Sequence, residues 1–325
     1  MKKFDVITIG AATRDVFLRS KAIKVVKDDA FVTGEGECFA LGSKIDVDEI
    51  VFETGGGATN AAVSFARQGL KTAFAGKIGA TDARGQEILD ALKAEKINTS
   101  LVIKDKDKMT AYSVLLLTAR GERTALVYRG ASADFRVQDF HWRKMKSKWI
   151  YVSSLGGEMS VLRSIWKHAK EHQIKIAWDP GAGELAYGWK KLAPLLKSVD
   201  VLHVNQEEAA KLMGMDYEQD EHCFDTLRKM VGGLTIVTGG TVGAFAGTAT
   251  ESWQSGTNHI KVISTTGAGD AFTSGFMAAY IRTGDVPYSL QFGTANAESV
   301  IRHISAKEGL LRTHTLSQPV VVTQR

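Results

Sequence analysis

Gly267-Ala268-Gly269-Asp270 concentrates more chemistry than any other stretch of this 325-residue chain. Three small residues precede a lone acid. The acid opens a run, Ala271 to Ile281, whose apolar residues Phe272, Phe276, Ala279 and Tyr280 recur at helical spacing. Ile260 to Ile263, just before, is β-branched and predicts a strand. The first N–H groups of a helix lack intrahelical partners. Glycines without Cβ atoms let a phosphate approach them, and the helix dipole favours its charge. An acid at such a place repels phosphate. Its useful role is to take a proton from a hydroxyl attacking phosphorus. The plainer alternative, a tight turn with Asp270 as an ordinary N-cap, fits these local residues equally well.

A second glycine-rich stretch, Gly55-Gly56-Gly57-Ala58-Thr59-Asn60, precedes a predicted helix from Ala61 to Gln68 that Gly69 ends. Its glycines permit close approach by a ligand. Asn60 offers both a donor and an acceptor, which suits a sugar hydroxyl. Asp15 follows the predicted strand Val6 to Ile9. In open α/β sheets ligands lie beyond the carboxyl ends of strands, so Asp15 is placed to meet substrate hydroxyls.

The elements that must position these residues alternate. Trp149–Val152, Ile174–Trp178, Val199–Val204 and Leu234–Thr238 read as strands. Helices over Ser160–His172, near Pro194 and over Glu207–Met213 fall between them. Earlier come a strand at Thr72–Ala75, a turn at Gly76–Gly79 and a helix over Gln86–Lys96. This alternation predicts a mainly parallel sheet with helices on both faces. Ile45–Glu53, Thr99–Ile103, Tyr112–Thr118 and Thr124–Tyr128 are strand-like outside that pattern. They predict a small sheet, within roughly 13–54 and 99–128, that acts as a lid over the ligand. Phe17, Phe52 and Tyr112 could stack on a base or hold the lid together. No linker or repeat divides the chain, so 1–325 reads as a single domain.

Composition is ordinary for a globular chain: 44% hydrophobic and 24% charged residues, with mean hydropathy −0.09. Net charge +5 and a pI near 9.0 suit anionic ligands without demanding them. Two cysteines, Cys38 and Cys223, define no disulfide framework or metal cluster. Met1-Lys2-Lys3 has the charge of a signal n-region, but the apolar segment after it is short and carries Asp5; a cytoplasmic location without a membrane span is expected. The basic run Arg143, Lys144, Lys146 and Lys148, with Trp142 and Trp149, could bind nucleic acid but reads more simply as a solvated helix face. No nucleic-acid partner is expected. A dinucleotide-binding dehydrogenase is excluded, because Gly10-Ala11-Ala12 lacks the Gly-x-Gly-x-x-Gly pattern.

Together the two glycine-rich stretches, in this order and with Gly69 and Gly79, resemble the ribokinase-like, or PfkB, family of carbohydrate and nucleoside kinases. Asn205-Gln206-Glu207-Glu208 resembles that family's Asn-x-x-Glu, and Thr238-Gly239-Gly240-Thr241-Val242-Gly243 its Thr-x-Gly-x-x-Gly. The resemblance runs from about Val6 to Leu311. It implies a three-layer α/β/α domain with a β lid, and transfer of the γ-phosphoryl of ATP to a sugar or nucleoside hydroxyl. Asp270 would be the base, with Gly267, Ala268 and Gly269 forming an anion hole. Asp15, Gly56, Gly57 and Asn60 would hold substrate. Asn205, Thr238, Gly240, Gly243 and Asn296 would bind nucleotide. Asn205 and Glu208 would organise Mg2+ through water, unless they merely cap a helix. Ser264 stands where the family commonly has Asp, an acid that helps hold an activating monovalent cation; potassium dependence is therefore open. The lid edges suggest a homodimer. A catalytically silent sugar- or nucleotide-binding protein is the non-enzyme alternative.

Overall fold

A computed structural model describes residues 4–31, 34–118, 123–215, 220–312, 314, 316 and 318–325. In chain order its first half contains β1 (Phe4–Ile9), β2 (Thr13–Arg19), β3 (Lys24–Lys27), β4 (Glu35–Cys38), β5 (Glu49–Gly55), α1 (Gly57–Arg67), β6 (Thr72–Ala75), β7 (Lys77–Gly79), α2 (Ala83–Ala94), β8 (Ile103–Asp105), β9 (Ala111–Leu117) and β10 (Arg123–Tyr128). Next come β11 (Ser147–Val152), α3 (Met159–Glu171), β12 (Lys175–Trp178), α4 (Ala182–Leu185), α5 (Gly188–Leu196), β13 (Val201–Asn205), α6 (Gln206–Met213) and α7 (Asp220–Met230). The chain closes with β14 (Leu234–Thr238), β15 (Ala244–Gly247), β16 (Ser252–Ser255), α8 (Ala268–Thr283), α9 (Val286–Val300) and β17 (Val322–Gln324).

The main sheet has the order β17-β16-β15-β14-β13-β12-β11-β1-β6. From β6 to β14 every neighbouring pair is parallel; β14 to β17 are antiparallel. Side chains alternate across it, as the strand period requires. Ile7, Ile150, Ile176 and Leu202 pack with α3, α5, α6 and α7. Val6, Tyr151, Ala177 and Val201 pack with α1, α8 and α9 on the other face. Burial of Phe272, Phe276, Leu290 and Phe292 contributes roughly 1.5–3 kcal/mol each and fixes α8 and α9 to the sheet. Because the central strands are parallel, Ser153, Asp179, Asn205 and Thr238 all emerge at one edge, at or just beyond the strand ends.

The lid is the sheet β10-β9-β2-β5. β2 pairs in parallel with β9 and antiparallel with β5. Two features differ from the sequence reading here. Thr99–Ile103 does not join the lid; the strand starts at Ile103 and β8 pairs with β7, the stretch read as a turn. The insertion before Glu49 forms its own ribbon, β3 with β4. Elsewhere, Ile260–Ile263 is irregular rather than a strand: Ile263 N–H and Ser264 N–H both go to the carbonyl of Ile301 instead of to a sheet neighbour. The basic run is not an α-helix: Arg143 and Lys144 lie on a short 3₁₀ turn (Trp142–Lys144), Lys146 follows it and Lys148 is already on β11, all four exposed. Among the described residues no helix is long and apolar enough to cross a membrane.

Candidate active site

Both glycine-rich stretches start helices earlier than the apolar periodicity indicates. α1 begins at Gly57, because Gly56 takes φ 96°, where an added Cβ would stand 2.4 Å from the carbonyl oxygen of Ala11. α8 begins at Ala268 after Gly267, which is left-handed at φ 76°. Asp270 therefore sits inside the first helical turn rather than capping it, and its carboxyl projects from the positive end of the dipole. A Cβ on Gly269 would meet nothing within 4 Å, so the backbone there is open. The N–H of Ala268 is turned to the Thr265 carbonyl at 3.2 Å, a contact an incoming anion would have to displace.

The two helix starts meet. Asn60 Nδ2 donates to Asp270 Oδ2 at 2.8 Å across 210 residues of sequence. A Cβ on Gly57 would lie 2.5 Å from Ser153 Oγ and 3.0 Å from Asp270 Oδ1. Asn60 is only 4% exposed, and its Oδ1 has no hydrogen-bond partner among the described residues. A buried acceptor left unmatched is costly, so a donor from a ligand fits there. Burial pushes the Asp270 carboxyl up to about 6; the nearby charge of Asp179 adds to the rise, while the Asn60 hydrogen bond, His203 and Lys307 oppose it. That value suits a base working near neutrality.

Asp15 lies on the lid strand β2 rather than in a loop beyond β1. Its Oδ1 accepts from Thr13 Oγ1 at 2.8 Å, Glu53 stands opposite it on β5, and its Oδ2 fills the space that a Cβ on Gly55 would need. Burial raises its carboxyl above the ordinary range, against the hydrogen bonds of Thr13 and Ser113. Asn205 caps α6: its Oδ1 accepts from Glu208 N–H at 2.8 Å, and Glu208 Oε2 accepts from Asn205 N–H at 2.9 Å. Burial raises the Glu208 carboxyl, with Asp179 adding. Thr238 Oγ1 lies 3.3 Å from His203 Nε2 at the end of β14. Gly240 is left-handed at φ 59° with open space beside it, whereas Gly243 at φ 98° is pressed against the Ser255 carbonyl. Ser264 is buried, with its hydroxyl bonded to Thr266 Oγ1 at 3.0 Å.

Asn296 is a correction. It is 1% exposed between α8 and α9, donates to the Ala271 carbonyl at 2.7 Å and accepts from Leu311 N–H at 2.9 Å. Its amide is spent holding the helices, so it does not reach the cleft. The loop after β14 offers something else: Thr257 Oγ1 ties it by a hydrogen bond to the Thr241 carbonyl, and Val242 within it stands exposed.

Four site residues carry no motif. Asp179 accepts from Tyr151 Oη at 2.9 Å and pairs with His203 Nδ1 at 2.8 Å. Burial works against a charged His203, yet Asp179 more than offsets it and the imidazole's affinity for protons is raised. Lys307, from the irregular segment after α9, is buried; its Nζ donates to the Thr54 carbonyl, to Thr54 Oγ1 at 2.8 Å and to Thr59 Oγ1 at 3.0 Å. Burial brings it down to about 8 despite Asp15, Glu53 and Asp270 nearby. Asp179 had a strand-end position to betray it. Lys307 had only its place in an unpatterned Ser-Ala-Lys-Glu-Gly.

A lidded three-layer α/β/α domain with this cleft is a ribokinase-like sugar or nucleoside kinase fold. It resembles the crystal structure of adenosine kinase from Sinorhizobium meliloti, with a TM-score of 0.77 and 22% identity over 95% of this chain and 98% of that one. The chain belongs to the pfkB family of carbohydrate kinases, whose family model matches residues 12–313. It is 27% identical over 272 residues to ribokinase from Staphylococcus aureus strain COL, covering 81% of this chain and 87% of the relative. It is also 27% identical over 243 residues to an ATP-dependent ribose-1-phosphate kinase from Halopiger xanaduensis, covering 74% and 78%.

Proposed function

We propose that the protein transfers the γ-phosphoryl group of ATP to a hydroxyl, a primary CH2OH, of a sugar. The observation that carries this reading is Asp270: a carboxyl raised to about 6, held by Asn60, at an open glycine-rich helix start. The acceptor oxygen bonds to the γ-phosphorus as the bond to the β,γ-bridging oxygen breaks. ADP leaves, and the hydroxyl proton passes to Asp270. The orphaned Asn60 Oδ1 takes a hydrogen bond from a substrate hydroxyl, and Asp15 takes another. First-turn N–H groups at Gly269 meet the charge that develops on the phosphoryl oxygens. Thr238, Gly240 and the exposed Val242 face the nucleotide.

Mg2+ takes one or two carboxylates together with waters and phosphates rather than an all-protein cage. Glu208, half-buried near Asp179, is a donor set of that kind, and Asn205 orients it. When bound, the ion neutralises phosphate charge. With Ser264 in place of an acid, turnover without potassium is the expected behaviour.

A nucleoside acceptor is the second reading, and the lid weighs against it. Tyr112 and Phe52 stand on its outer face, under Arg84 and Arg14 respectively, and Phe17 is 2% exposed in the lid's own core. That outer face also carries Ile50 and Leu126, both about half exposed. We infer that a second copy of the chain covers it; Phe52→Asp with Leu126→Asp should then yield a monomer by sedimentation. The central test is ADP release with ATP and Mg2+ against sugars and nucleosides, with and without potassium. A sugar turned over is the expected result; an intact protein that binds no ATP refutes the reading.

A further inference from the structure

The amino-terminal edge of the main sheet, opposite the cleft, carries a recess of about 410 Å³. Small-molecule sites span roughly 300–1,000 Å³. Phe4, at the start of β1, gives it an apolar wall. Lys71, Lys96 and Lys144 enter from three separate segments: just before β6, just after α2, and on a 3₁₀ turn. All three are exposed, and among the described residues none has an ion pair. The acids beside them in the chain or the sheet are already engaged. Asp5 accepts from Lys71 N–H at 2.9 Å and pairs with Lys148 at 2.9 Å. Glu95 is held by Arg67 at 2.6 Å and by Arg312 at 3.1 Å. Lys96 is also an unfavourable choice for its backbone. α2 ends in a Schellman turn, with Ile97 N–H on the Leu92 carbonyl and Lys96 N–H on the Lys93 carbonyl. That turn favours glycine at its left-handed position, yet Lys96 stands there at φ 59°. Asn98 adds a neutral donor. Its Oδ1 takes Ser100 N–H at 3.0 Å and Ser100 Oγ at 2.6 Å, which leaves Nδ2 without a partner among the described residues.

We propose that this recess binds a small metabolite carrying two phosphoryl groups. A lysine meets a phosphate as a point charge. Three ammoniums around one small volume repel one another, and a diphosphate between them turns that repulsion into attraction. The amide N–H of Asn98 donates to a phosphoryl oxygen, and Phe4 lies against the carbon frame. A nucleic-acid strand fits less well. The charges converge on one recess instead of running in line, and the aromatics of the neighbouring basic run are not free to stack. Trp149 is 7% exposed, and Trp142 packs against Phe140 and His168 with its Nε1 donating to the Val137 carbonyl. The site lies apart from Asp270 and the cleft, so it stands or falls separately from the kinase reading.

Inorganic pyrophosphate, without Mg2+ or nucleotide, is titrated calorimetrically into the wild type, Lys144→Ala, Lys96→Gly and the triple variant Lys71→Ala, Lys96→Gly, Lys144→Ala. Each lost charge should weaken binding about tenfold, and the triple variant should lose the site. Lys96→Gly should at the same time melt higher than the wild type, because glycine takes the left-handed backbone without strain. Weaker binding by a more stable protein separates a ligand-holding lysine from one that only shapes the turn. Fructose 1,6-bisphosphate and ADP, compared between the wild type and the triple variant, distinguish a sugar carrier from a nucleoside carrier. The carrier is the one with the greater lysine-dependent affinity. No pyrophosphate binding by the wild type overturns the proposal, as does equal affinity in the triple variant. A mixed-sequence RNA oligonucleotide that binds through these lysines more tightly than any of the three small ligands also overturns it.

Discussion

Asp270→Asn keeps the size and most of the hydrogen bonding of the native side chain but cannot take a proton. A positioned base contributes roughly 10²- to 10⁴-fold, so turnover should fall by that factor while nucleotide binding, followed by thermal shift with ADP, persists. The pH profile is the sharper readout. With the carboxyl at about 6 in the wild type, kcat/KM should be flat above pH 7 and drop about tenfold per unit below 6. Removing the neighbouring charge with Asp179→Asn should move that limb toward lower pH, because Asp179 helps raise the carboxyl. In Asp270→Asn the limb should vanish. Stability supplies an independent check. A carboxyl raised in the native state binds its proton more tightly there than in the unfolded chain. Its ionisation therefore costs stability as pH rises from about 4 through 6, and the cost persists above. Asp270→Asn should resist urea better than the wild type at pH 8, and the advantage should disappear below pH 4. An acid limb near pH 4, or a limb that survives in Asp270→Asn, would refute the assignment of the base.

Two glycines of one turn should fail in different ways. Gly267→Ala must hold φ 76° and places its Cβ 2.3 Å from that of Ala306, so it should lose at least 1–2 kcal/mol of stability by urea unfolding, from the left-handed backbone alone. Gly269→Ala meets nothing within 4 Å and should fold normally yet turn over slowly. Glu208→Gln should raise the Mg2+ concentration for half-maximal rate with little change in the acceptor KM. Lys77, 5% exposed, bridges Asp105 and Asp139 at 3.0 Å each; Lys77→Met should destabilise by about 3–5 kcal/mol, because two carboxylates lose their partner. Backbone hydrogen bonds and Lys77 hold Asp105 at about 2 against the cost of burial; its contribution is present above its ordinary 3.8 and lost as pH falls toward 2, seen as acid-induced unfolding.

The start of the chemistry is legible in local residue types. Glycine is a backbone statement. Gly56 and Gly267 adopt positive φ, and Gly57 leaves the space that Ser153 and Asp270 occupy, so their places could be read before any fold was known. Strand–helix alternation likewise announced the parallel sheet, since its period is local. Boundaries were less legible: α1 and α8 begin three or four residues before their first diagnostic apolar residue, because a glycine, not hydrophobicity, sets the start. Ile260–Ile263 is β-branched but finds the Ile301 carbonyl rather than a strand, a choice made by packing against the segment after α9. Asn296 carries a polar amide on a late helix, and only the approach of α8 shows that its partners are internal. The charge balance of the acceptor site was decided by tertiary structure alone. Asp15, Glu53, Asp270 and Lys307 are far apart in the chain, and electrostatic coupling depends on distance in space, which no local pattern records.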